Sequence, residues 1–179
     1  MAHLTPRQPT PDLDVELVGG GNWRLSEQKP ENFTLIVAYR GLHCPICRPY
    51  LSELHRNLEE FEKRGVTSIA VSSDTSERAQ QAKEEWGLSG LPIGYGMSIE
   101  SAREWGLYIS TSRGKTSTGV VAPDLFSEPG LFLLRPHGTS YAAAYHTLHF
   151  APTLLTDLLT ASDFLTMHHV PATSDPHLP

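Results

Sequence analysis

The most constraining feature of this sequence is a pair of cysteines placed just after a continuous apolar run. Phe33-Thr-Leu-Ile-Val-Ala-Tyr39 is rich in β-branched residues and reads as a buried central strand. Arg40-Gly-Leu-His43 is the turn that follows it, and Cys44-Pro-Ile-Cys47 opens the next segment. From Cys44 to Lys63 the residues Leu51, Leu54, Leu58 and Phe61 recur every three or four positions, the spacing of a helix with one apolar face. On this reading Cys44 is the cap residue and Pro45 takes the first helical position, where no backbone N–H is required. Unsatisfied N–H groups and the positive end of the helix dipole then favour a thiolate at Cys44, and the thiolate is the reactive form. Arg40, Arg48 and a protonated His43 add positive charge nearby. Two readings of His43 stand side by side: tuning of the thiol, or a solvent-facing loop histidine. Pro49 reads as a bend in the second turn that loosens it for disulfide closure.

These are the sole cysteines in 179 residues, too few for a disulfide scaffold. In a reducing compartment such a pair is more often catalytic or metal-binding than structural. The metal alternative lacks further cysteines. His146 and His149 supply two nitrogens, but they fall at a strand end and in a loop, so no metal site is expected. The net charge of −6, from 14 basic and 20 acidic side chains, argues against nucleic acid as the main partner. No segment approaches the roughly 18 consecutive apolar residues of a membrane span, and the N-terminus carries no signal-peptide stretch. The expected location is therefore the cytoplasm.

The rest of the chain alternates strands and helices. Residues 1–12 read as a flexible arm, 13–167 as one domain and 168–179 as a flexible tail. Leu13–Val18 and Trp23–Leu25 flank a glycine turn as an N-terminal hairpin. Val66–Ser72 is a second buried strand, and Asp74 or Thr75 caps a helix reaching Trp86. Pro92–Tyr95 is a short strand, Ile99–Trp105 a short helix, and 107–127 a long loop. Gly130–Leu134 pairs with Thr139–Tyr145, and Pro152–Leu165 is the last helix. Strand–helix–strand units followed by an antiparallel hairpin predict an α/β fold with a mixed central sheet flanked by helices.

Tyr39-Arg-Gly-Leu-His-Cys-Pro-Ile-Cys-Arg48, following a hydrophobic strand, resembles the thioredoxin-like superfamily. Within it the chain is most similar to peroxiredoxin-like proteins of the alkyl hydroperoxide reductase/thiol-specific antioxidant group. The resemblance implies a thioredoxin-like fold, with Cys44 as nucleophile and Cys47 as resolving thiol. It also implies a cis proline at Pro129, or failing that Pro92, exposing a backbone edge beside Cys44 for an extended substrate. The match is incomplete. Peroxiredoxins carry Thr or Ser three residues before the reactive Cys and Pro seven before it, and here these are Gly41 and Val37. The position of their catalytic Arg aligns with Pro129.

The first functional expectation is thus a dithiol–disulfide oxidoreductase in which Cys44 attacks a disulfide and Cys47 releases it. The second is a thiol peroxidase passing through a Cys44 sulfenic acid. The third, of another class, is a zinc-binding or interaction module. Either enzymatic reading takes a disulfide or hydroperoxide substrate and no cofactor. Each needs an external thiol reductant, such as a thioredoxin or glutathione system, and a homodimer is one state the resemblance allows.

Overall fold

Strand and helix formation follow from how each apolar side chain is disposed along the chain, as the computed structural model shows for residues 3–147 and 153–173. The hairpin is formed by β1 (Asp14–Leu17) and β2 (Asn22–Arg24). Then follow β3 (Phe33–Ala38), α1 (Cys47–Arg56), α2 (Leu58–Lys63), β4 (Val66–Val71) and α3 (Ser76–Glu85). After these come β5 (Ile93–Tyr95), α4 (Ile99–Glu104), β6 (Ile109–Thr111) and β7 (Leu125–Ser127). The last elements are β8 (Gly130–Leu134), β9 (Ser140–Tyr145) and α5 (Leu155–Met167). Seven strands form one sheet in the order β2-β1-β5-β4-β3-β8-β9, with β6 and β7 forming a separate pair. β3 and β4 run parallel, whereas β8 runs antiparallel to β3, giving the mixed sheet expected.

β3 is buried along its whole length because both faces of the sheet are covered. Phe33, Leu35, Val37 and Tyr39 point to one face, where they meet Leu51, Leu54 and Phe61 of the α1–α2 layer and Leu155 of α5. Ile36 and Ala38 point to the other, against Ala102 and Trp105 around α4 and Phe132 of β8. Cys44 and Cys47 belong to the first of these cores. Among the described residues no helix is long and apolar enough to cross a membrane.

Five expectations are corrected. The helix read from Cys44 to Lys63 is two helices separated at Asn57, whose ψ of 4° breaks the α geometry. It starts at Cys47, so Ile46 rather than Cys44 is the cap residue and Pro45 lies before the helix. Pro49 is therefore the third helical residue, where a missing N–H costs no intrahelical bond, and it introduces no second-turn defect. The 107–127 loop contains β6 and β7, paired from Ile109–Ser127 to Thr111–Leu125. No cis peptide occurs among the described residues, so Pro129 and Pro92 are both trans. Pro129 lies between β7 and β8, and its carbonyl accepts a hydrogen bond from His146 N–H (3.0 Å) beside the β8–β9 ladder.

The first and last described segments reach the β8–β9 hairpin. Arg7 N–H donates to the Ser140 carbonyl (2.7 Å), and Ser140 N–H to Gln8 (2.9 Å). The Val170 carbonyl accepts from Arg135 (3.0 Å) and from Tyr141 Oη (3.3 Å). His149, Phe150, Pro152 and residues 174–179 lie outside the described residues.

Leu51 is fully buried at the centre of the core that holds both cysteines. Leu51→Ala is expected to lower stability by about 2–5 kcal/mol, seen as a fall in the urea midpoint at an unchanged slope.

Candidate active site

The cysteine loop owes its shape to a buried carboxylate on the neighbouring strand connection. Beyond β3 the chain turns at Gly41, whose φ of +118° lies in the region open to glycine. A Cβ there would fall 2.4 Å from Asp74 Oδ2. Glycine thus lets the turn pack directly against Asp74. Asp74 Oδ2 accepts the Leu42 N–H (2.7 Å), and its Oδ1 accepts Arg78 Nε (2.8 Å). Of the two caps considered for α3, Thr75 is the one used, with its hydroxyl accepting from Arg78 N. Asp74 is left free to bind the loop, a role sequence alone did not assign.

The turn closes with Cys44 N–H donating to the Gly41 carbonyl (3.0 Å). Cys47 N–H, at the start of α1, then donates to Cys44 Sγ (3.3 Å). Cys44 therefore performs the capping of the first turn with its sulfur although it stands outside the helix. Both thiols are free and buried, Cys44 at 1% exposure. Hydrogen bonding from the Cys47 side chain and main chain, the charge of Arg40 and the Ile46 N–H bring the Cys44 pKa down to about 7 against the opposing effect of burial. Burial, together with a thiolate at Cys44, pushes Cys47 well up. The two thiols are thus unequal, one disposed to ionise and the other to stay protonated.

The flanking residues divide. Arg40 is brought in: its Nε lies 3.3 Å from Glu128 Oε2, and its guanidinium stacks over Phe126 at 4.8 Å. Arg48 and Pro45 are exposed and line a cavity of about 340 Å³ together with Cys44, Leu42, Trp86 and Val120. Of the two arginines, Arg40 is the one whose charge most lowers the Cys44 pKa. Pro129 does not line this cavity; its neighbour Glu128 is the residue that reaches the site, through Arg40.

His43 fits neither reading made from sequence. It is fully buried, edge-on to Phe126 at 4.5 Å, and neither ring nitrogen has a partner among the described residues. Burial, with the charges of Arg40 and Arg78, lowers its pKa to about 4, so it is neutral near pH 7 and adds no charge to Cys44. Its carbonyl anchors the segment between β6 and β7, accepting from Thr116 Oγ1 at 2.8 Å. Arg78 holds the same segment through the Val121 carbonyl (3.2 Å). Among the described residues no three His, Cys, Asp or Glu side chains gather as a metal site.

The sequence pattern of the AhpC/TSA family matches residues 6–140. A 1-Cys peroxiredoxin of Medicago truncatula is 29% identical over 86 residues, covering 48% of this chain and 37% of that protein. The chain thus matches well under two thirds of that relative's length. Among solved structures, peroxidoxin BcpB of Mycobacterium tuberculosis superposes with a TM-score of 0.67 at 15% identity, covering 89% of this chain and 96% of that one. Peroxiredoxin 6 of Arenicola marina gives 0.71 at 18% identity, covering 97% and 79%. These likenesses establish the thioredoxin-like fold of peroxiredoxins.

The buried His43 makes stability depend on pH. Its pKa is depressed on folding from 6.5 to about 4, so the unfolded chain binds the extra proton between those values. Stability contributed by the neutral ring is present above pH 6.5 and is lost as pH falls towards 4, by up to about 3 kcal/mol. Urea midpoints of the protein and of His43→Phe, compared from pH 7 to pH 4, are expected to fall more steeply for the protein with histidine.

Proposed function

Because the chain belongs to the AhpC/TSA family, whose peroxiredoxin members are thiol-dependent oxidoreductases, we propose that it is a thiol peroxidase with Cys44 as nucleophile and Cys47 as resolving thiol. The observation that carries this reading is the buried Cys44, whose sulfur accepts the Cys47 N–H and which lines a cavity of about 340 Å³. A reactive cysteine exposed by 1% suits a reactant of a few atoms better than a disulfide carried on a polypeptide.

The Cys44 thiolate attacks one oxygen of a hydroperoxide. An S–O bond forms, the O–O bond breaks, and the departing oxygen takes a proton to leave as an alcohol or water. Cys44 is then a sulfenic acid. The Cys47 thiol attacks its sulfur, the disulfide forms and water leaves. An external thiol reductant supplies the two electrons that restore both thiols. Arg40, whose charge already acts on Cys44, balances charge on the breaking O–O bond in place of the Thr or Ser and the Arg that are missing from their usual positions. Glu128 and Phe126 hold it there.

Direct disulfide reduction, first among the expectations from sequence, uses the same two thiols, and the placement of Cys47 one turn from Cys44 favours it. The trans bond at Pro129 withdraws the substrate edge on which that reading also leaned.

Mixing the reduced protein with stoichiometric hydrogen peroxide separates the two. The peroxidase reading expects loss of both thiols at about 10⁴ M⁻¹s⁻¹ or faster, abolished in Cys44→Ser. Loss no faster than that of an ordinary free thiol contradicts it.

A further inference from the structure

A second cavity, of about 570 Å³, is lined by Arg40 and His43 of the cysteine loop. We propose that it is a binding site for a small organic carboxylate, held by Arg113 and Lys115 and by the buried imidazole of His43. The place of that ligand in the reaction rests on the peroxidase reading; the site itself does not.

Charge gives the first argument. The chain carries a net −6, yet this cavity is lined by Arg40, Arg113 and Lys115 against a single acid, Glu128. Glu128 is already committed: one carboxylate oxygen accepts from Ser110 Oγ, and the other faces Arg40. Arg113 and Lys115 form no ion pair among the described residues. Two exposed cations without an ion-pair partner therefore line one open pocket, and an anion is the complementary occupant.

The wall supplies the second argument. His43 lines this cavity, is fully buried and leaves both ring nitrogens without partners among the described residues. A buried polar group without a partner is costly, and a bound acceptor recovers that cost. A neutral imidazole always keeps one N–H donor, and a carboxylate oxygen accepts it. Ile109, Ala122 and Phe126 add apolar surface, so the site favours an organic anion over an inorganic one. The volume exceeds what a hydroperoxide group needs and lies in the usual range for small-molecule sites.

Position links the cavity to the chemistry. Thr116 lines this cavity and Thr118 lines that of Cys44, and both hydroxyls point to the His43 carbonyl. The bound carboxylate thus sits one residue from the nucleophile. It belongs either to the thiol reductant or to an organic hydroperoxide.

Calorimetric titration of the reduced protein with S-methylglutathione and, separately, with octanoate tests the site without any redox step. Saturable binding of either probe is expected, weakened about tenfold in Arg113→Ala/Lys115→Ala. Stronger binding of S-methylglutathione assigns the site to the reductant, and stronger binding of octanoate assigns it to the hydroperoxide. Absence of binding by both probes, or equal binding in the double variant, overturns the proposal. The hydrogen peroxide reaction is expected to be unchanged in the double variant. A probe that binds a protein inert to peroxide upholds the site and removes the peroxidase reading alone.

Discussion

The hold of Asp74 on the cysteine loop is the interaction on which the rest of the site depends. Its buried carboxylate takes the Leu42 N–H on one oxygen and Arg78 on the other, and Gly41 makes room for it. Because β3 and β4 are parallel neighbours, the loop after one strand and the connection after the other lie side by side at the same end of the sheet. A rigid pair of strands therefore sets where Cys44 sits relative to the first turn of α1. With the loop fixed, the Cys47 N–H meets Cys44 Sγ without further adjustment.

That geometry makes two chemically identical thiols behave differently. Cys44 receives hydrogen bonds and faces the Arg40 cation, which outweigh its burial. Cys47 is buried beside it, and a second negative charge there is opposed both by the apolar surroundings and by the first. Arg40 is in turn placed by Glu128 at the end of β7 and by the face of Phe126. The segment between β6 and β7 thus belongs to the site as much as the cysteine loop does.

Much of this was legible in the sequence where the signal is local. The apolar run at 33–39, the amphipathic spacing of Leu51, Leu54 and Phe61, and the glycine turns gave the order of the main-sheet strands and of the helical segments between them. The pair Cys44 and Cys47 and the role of Arg40 as a nearby cation were visible too. Asp74, Glu128 and Thr116 were not assigned to the site because they reach the loop from elements 30 to 90 residues away, and nothing in their neighbours marks that contact. The helix start was misplaced by three residues because a proline at 45 and another at 49 both suit a first turn, and only the backbone decides between them. His43 was misread because its residue type says nothing about Phe126 closing over it.

The central claim is that the loop geometry, and not the cysteine spacing alone, makes Cys44 the reactive thiol. Ultraviolet titration of thiolate absorbance in the protein and in Cys44→Ser separates the two thiols while leaving Cys47 in place to donate to Cys44. One thiol is expected to ionise near pH 7 in the protein, this step is expected to be lost in Cys44→Ser, and the buried Cys47 is expected to ionise above the ordinary thiol value. Ionisation of both at the ordinary thiol value, or of Cys47 before Cys44, would contradict it.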